Sequence, residues 1–161
     1  MSLLTRMSKY MLWADAKIWN YVKTLTDEEF SLVVSNKSGS IYERYLHMAH
    51  GHSQWFHLWI EKEQETIELE RLSRDELFSY LTGINRRIAD LIHDNDVDAV
   101  KNPFRSAEIP VTLEEMIFNI INHATYHRGQ IVTLLRILGK DVTMTDYVPY
   151  LLDTFENQKN E

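Results

Sequence analysis

The chain has 161 residues, 44% hydrophobic and 25% charged, the balance of one globular domain over 1–161 with a core of its own. A formal charge of −7 and the lack of any Lys/Arg cluster argue against a nucleic-acid partner. No apolar run is long enough to cross a membrane, and the absence of cysteine removes disulfides, thiolate metal ligands and cysteine nucleophiles together.

The opening MSLLTRMSKYMLWADAK is amphipathic and broken by Arg6, Lys9 and Asp15, so it lacks the apolar centre of a signal peptide. A cytoplasmic setting is the expectation. Leu3, Met7, Tyr10, Met11, Ala14, Ile18, Tyr21 and Val22 recur at three- and four-residue spacing, which predicts a first helix from about Ser2 to Leu25. TDEE at Thr26 to Glu29 can cap a short extra turn before the loop SNKSGS. SIYE, a capping box at Ser40 to Glu43, opens a second helix that runs to about Lys62. SRDE at Ser73 opens a third helix, with Leu77, Leu81, Ile84, Ile88 and Leu91 as its stripe. HDNDVDAVKNP ends that helix, because Asp and Asn compete for backbone bonds and Pro103 cannot continue one. TLEE caps a fourth helix at Thr112, which continues to Leu138 until Gly139 stops it. The tail TMTDYVPYLLD reads as extended chain or a short turn packed back on the rest. Four long amphipathic helices make the fold class all-α, a four-helix bundle.

The fourth helix carries the chemistry. Leu113, Met116, Ile117, Ile120, Ala124, Ile131, Leu134 and Leu135 define its apolar arc, and His123 and His127 fall inside it. Residues four apart stack on one face, so two imidazoles are to be buried side by side. Burial costs free energy unless every ring nitrogen finds a partner. A divalent cation meets that need, taking one lone pair from each ring while the other nitrogen donates elsewhere. Core histidines bonded to side chains are the alternative. The pattern is not a zincin, since Ala124 stands where that motif needs Glu, and no Glu-x-x-His of a di-iron bundle occurs. A third ligand is expected from the second helix. There His50 and His57 lie opposite the arc of Ile41, Met48, Trp55 and Trp59 and read as solvated. His47 lies at the edge of that arc and His52 nearer its centre, so periodicity leans towards His52. His93 reads as an exposed residue at the C-terminus of the third helix.

Several segments in order resemble the DinB family of DinB/YfiT-like metalloenzymes. YMLWADAKIWNYVKTLTDEEF is similar to the family's opening helix, LHMAHGHSQWF to its His-to-Trp motif, NHATYHRGQI to its His-x-x-x-His-Arg-Gly-Gln motif, and TDYVPYL to its ending. The resemblance implies a DinB/YfiT-like four-helix bundle with a metal site of His47, His123 and His127. The His47-to-Trp55 spacing moves the expected third ligand from His52 to His47. The position of His52 often holds an acidic residue in the family; a histidine there is an extra metal contact, a group behind the ligands or a neutral replacement, the last being the expected reading. The resemblance also implies a homodimer, and the family's name implies damage-induced expression in some members.

Three protein ligands with no closing fourth describe an open, catalytic-type site. Imidazoles suit Zn or Ni first, with Fe or Mn also accommodated. Thiol-dependent relatives, mycothiol-dependent isomerases and bacillithiol S-transferases, imply a low-molecular-weight thiol as cosubstrate. The resulting expectation is a metal-dependent enzyme on a small-molecule substrate, either a thiol S-transferase or a hydrolase. The alternatives are a non-catalytic metal-binding stress or interaction protein and a metal-free helical dimerisation module. No catalytic residue beyond the ligands is assigned. Gln130, one turn past His127, reads equally as a group that orients a ligand and as a partly exposed polar residue. Arg128 is expected to pair with an acidic neighbour or the tail, and Arg44 to sit in a surface ion pair or hold a substrate carboxylate. Asn119, Asn122 and Tyr126 are candidate partners of the ligand rings. Trp13, Trp19, Trp55 and Trp59 read as core or dimer-contact aromatics.

Overall fold

The computed structural model describes residues 2–35, 38–59, 67–94 and 111–159. Its long helices are α1 (Leu3–Val22), α3 (Ile41–Trp59), α4 (Arg74–Asp94) and α5 (Leu113–Ile137). A short α2 (Asp27–Ser31) follows α1, and α6 (Tyr147–Lys159) closes the described chain. The expected end of the second helix near Lys62 and the breaker segment around Pro103 lie outside the described residues.

The helix starts are chemical. Ser2 caps α1 by accepting the Thr5 N–H. Thr26 and Glu29 form a reciprocal capping box for α2, and Thr112 and Glu115 another for α5. Ser40 and Glu43 exchange the same pair of bonds at the start of α3, as do Ser73 and Glu76 at α4. Each pair satisfies two backbone N–H groups that have no partner within the helix. Gly139 ends α5 at φ 76°, with Lys140 N–H bonded to Leu135 O and Gly139 N–H to Arg136 O. A side chain would strain that left-handed turn.

The four long helices pack as a bundle in which α1 and α3 are each flanked by α4 and α5. Two apolar clusters fill its interior. One gathers Ile18, Val22, Tyr45, Met48, Leu81, Ile131 and Leu135. The other gathers Met11, Phe56, Ile84, Ile88, Ile117 and Ile121. Near the boundary between them each long helix contributes buried polar side chains, among them Asp15 on α1, His52 on α3, Asn85 on α4 and Arg128 on α5. The core is therefore interrupted by a polar layer to which every long helix contributes.

The tail corrects the sequence reading. It is neither extended nor a short turn: Tyr147–Lys159 is a helix of 13 residues. Pro149 falls in its first turn, where a missing N–H costs nothing. Tyr147 and Tyr150 pack with Tyr10 and Trp13 of α1, and Tyr10 donates its hydroxyl to Thr145 O. Trp13 donates its indole N–H to Asp153 at 2.7 Å. Trp19 stacks on Phe78 with centroids 4.0 Å apart. Both tryptophans are thus engaged within the chain, as the core reading expects. The Trp59 side chain lies outside the described residues.

Candidate metal centre

Three imidazoles meet where α3 crosses α5. His47 comes from α3, and His123 and His127 stand one turn apart on α5. Nε2 of His123 lies 3.2 Å from Nε2 of His47 and 3.1 Å from Nε2 of His127. All three possible ligand atoms fall within 4.8 Å of one another. The burial is graded: His47 is exposed, His123 half-buried and His127 buried. The cluster therefore opens to solvent on the α3 side and is backed by the bundle on the other.

The outer nitrogens are held. Nδ1 of His127 lies 2.8 Å from Gln130 Oε1. Arg44 Nη1 reaches the same oxygen at 3.4 Å and Nη2 donates to Ser38 O. A guanidinium only donates, so it turns the Gln130 amide with its oxygen inward. That oxygen accepts a hydrogen bond from His127 Nδ1–H, which leaves Nε2 with its lone pair. Nδ1 of His123 lies 3.1 Å from Nε2 of His52.

Burial disfavours the charged form of His52, His123 and His127. Burial pushes His123 down to about 4, helped by neighbouring His127 and His47. Burial also lowers His127, against the lift from its Gln130 bond. His52 is pushed down to about 3, first by burial, and its Asn85 bond only partly opposes this. Neutral imidazoles with inward lone pairs suit a cation, and crowding such lone pairs together without one is unfavourable. Three nitrogen donors, with no fourth grouped with them among the described residues, fit a divalent metal of the Zn or Ni type.

His52, the ligand favoured by periodicity alone, stands behind the cluster. It is wholly buried, bonded to His123 on one side and through Nδ1 to Asn85 Oδ1 at 2.7 Å on the other. Both of its ring nitrogens thus have partners, and the ring belongs to the polar layer rather than to the apolar packing. His57 also departs from expectation: it is buried, 4% exposed, rather than solvated. Helix α3 is flanked by α4 and α5, so its covered arc, centred on Tyr45, Met48, His52 and Phe56, is wider than a single stripe. His50 is exposed as expected and pairs with Glu70 at 2.8 Å. His93 lies in the last turn of α4, with its side chain outside the described residues.

Arg128 pairs with an acid, but inside the protein: its Nη1 lies 2.9 Å from Asp15 Oδ1, and both side chains are buried. Burial pushes the Asp15 carboxyl up, while the Arg128 charge and then the Arg128 and Asn85 hydrogen bonds oppose it. Arg44 donates to Gln130 and to Ser38 O and has no ion pair with an acid among the described residues. Asn122 is exposed. Tyr126 is 64% exposed, with its ring 5.1 Å from that of His127. Trp55 lies 5.1 Å from the His123 ring and walls the cluster.

Asp15 and Asn85 escaped the sequence reading, although both carried a signal. Asp15 occupies the register of Met11, Ile18 and Val22, and Asn85 that of Leu81 and Ile88. A polar residue inside an apolar stripe needs a buried partner.

Known proteins agree with this architecture. Protein DinB of Bacillus subtilis (strain 168) is 26% identical over 166 residues, covering 92% of this chain and 94% of that protein. YfiT from Bacillus subtilis superposes with a TM-score of 0.64 at 17% identity, over 86% of this chain and 90% of that one. YfiT is described as "a probable metal-dependent hydrolase with an unusual four-helix bundle topology". The DinB family model matches residues 1–159, and the chain, as its motifs suggest, belongs to the DinB family.

Proposed function

We propose that the chain is a divalent-metal-dependent enzyme whose ion is held by His47, His123 and His127. The observation that carries this reading is the convergence of three ring nitrogens within 4.8 Å, open on the His47 side. Zn or Ni is the expected occupant, with Fe or Mn as lesser alternatives. When bound, such an ion keeps its full positive field among uncharged ligands and supplies Lewis acidity at its open positions.

The protein's own groups define the rest. Gln130, oriented by Arg44, holds His127 with Nε2 inward. The Arg44 guanidinium lies close enough to His127 to disfavour its protonation, so its charge also draws an anionic ligand towards the cluster. Trp55 covers the apolar flank beside His123 and limits water there. These features suit a small-molecule electrophile attacked either by water, as in a hydrolase, or by a low-molecular-weight thiol delivered as thiolate. A homodimer in the cytoplasm is the setting we attach to this reading.

Metal content by mass spectrometry tests it. We expect close to one metal per chain in the untagged protein, lost in His47→Ala and in His127→Ala. Metal-loaded protein is then screened with ester, amide and thiol-plus-electrophile substrates. Protein that takes up no metal after incubation with Zn, Ni and Mn contradicts the reading. Full metal occupancy with no turnover in that screen favours a non-catalytic binding protein instead.

A further inference from the structure

The buried polar layer forms a chain of hydrogen bonds that ends on the candidate metal centre. Arg128 Nη1 donates to Asp15 Oδ1 at 2.9 Å, and Asn85 Nδ2 donates to Asp15 Oδ2 at 3.2 Å. Asn85 Oδ1 meets His52 Nδ1 at 2.7 Å, and His52 Nε2 meets His123 Nδ1 at 3.1 Å. The direction of every bond follows from the first. Both Asp15 oxygens face N–H donors, so the group acts as a carboxylate and only accepts. The Asn85 amide must then turn its NH2 to Asp15 and its oxygen to His52. That oxygen only accepts, so His52 carries its proton on Nδ1. His52 is buried with both ring nitrogens in short contacts, and with its proton on Nδ1 the ring presents only a lone pair at Nε2. Its Nε2 is therefore an acceptor, and His123 must place its own proton on Nδ1. The Nε2 of His123, at the centre of the cluster, is left as a lone pair.

We propose that His52, Asn85 and Asp15 form a positioning relay that selects the Nδ1–H tautomer of His123 and aims its Nε2 at the metal. The proposal rests on the metal-site reading above, and adds that the ion's affinity is set in part by residues that never touch it. His52 does not touch the ion. It does for His123 what Gln130 does for His127: each α5 ligand has its Nδ1 bonded to a neighbour that is itself held, His52 by Asn85 and Gln130 by Arg44. Partners of this kind are generally worth tenfold to a hundredfold in metal affinity, on the order of what a relay defect should show.

The test compares the parent protein with His52→Gln and His52→Leu. A Gln side chain can accept from His123 Nδ1 and donate to Asn85, so it preserves the polarity of the relay, whereas Leu removes it. Zinc affinity is measured by competition with a chromophoric chelator, and the His123 tautomer by nitrogen-detected NMR of the metal-free protein. Thermal melts report whether each variant is folded. We expect the Nδ1–H tautomer in the parent and in His52→Gln, with zinc affinities within a few-fold of each other. His52→Leu should bind zinc about tenfold to a hundredfold more weakly. A folded His52→Leu that binds zinc like the parent overturns the relay and leaves the metal site standing. An Nε2–H tautomer in the metal-free parent also overturns it, and needs no variant to fold. A parent that binds no zinc overturns both readings.

Discussion

At the scale of single residues, Asp15 and Arg128 form an ion pair that the bundle has sealed from water. Their side chains are 10% and 4% exposed. Desolvating two charges is costly, and their attraction repays it only while both are present and hydrogen-bonded. Here the second Asp15 oxygen takes Asn85 and the second Arg128 nitrogen donates to Thr125. Arg128→Met leaves Asp15 buried without its counter-ion, so we expect a loss of about 3–5 kcal/mol in urea unfolding of the metal-free protein. A loss below about 1 kcal/mol, the scale of an exposed pair, would contradict the buried assignment. Gly39 is a second residue-scale constraint. It sits at φ 62° immediately before Ser40, and a Cβ there would collide with Glu43 Oε2 and Arg44 Nη2. The turn is thus tied both to the cap of α3 and to the arginine that orients Gln130.

At the scale of elements, α6 shows how packing overrides local signals. Its sequence carries Pro149 and weak helical periodicity, yet Tyr147 and Tyr150, three apart, stack one side of the helix on Tyr10 and Trp13. The Trp13 indole bond and then Lys17 hold the Asp153 carboxyl below its ordinary 3.8. A carboxylate whose folded value is depressed contributes stability that is fully present above 3.8. The contribution is lost as pH falls through the lowered value. We expect the melting temperature of the parent to drop more steeply on acidification through this range than that of Asp153→Asn. Parallel curves would mean that the Trp13–Asp153 contact adds nothing to the docking of α6. The group is exposed enough that the effect should be small.

At the scale of the whole molecule, the candidate metal centre ties α3 to α5, and the relay behind it reaches α4 and α1. An ion that binds only the folded state therefore stabilises the entire bundle. At a free concentration a hundredfold above its dissociation constant the gain is about 2.7 kcal/mol. For a chain of this size each kcal/mol moves the melting temperature by about 2–4 °C. Adding zinc to metal-free protein should raise the melting temperature by roughly 5–10 °C on this arithmetic, and a chelator should reverse the rise. In His127→Ala the increment should vanish. An unchanged melt in the parent would show that the three histidines bind no ion tightly enough to matter.

The sequence by itself determined the helical class, four capping boxes, the stop at Gly139 and the pairing of His123 with His127. Each of these rests on residues within one turn of each other, where spacing alone dictates geometry. His47 came from the family motif rather than from periodicity, which leans to His52. What surrounds each of the two follows only from the tertiary structure. The rotation of α3 against α4 and α5 sends His47 to the open edge of the cluster and His52 into the polar layer. The helical tail and the burial of His57 and Arg128 belong to the same category. A side chain's environment is set by which helices flank it, and its burial depends on partners more than a hundred residues away, as with Asp15 and Arg128. A periodic pattern reports that a helix has a covered face; the partners that cover it decide how wide that face is and what a polar residue within it can bond.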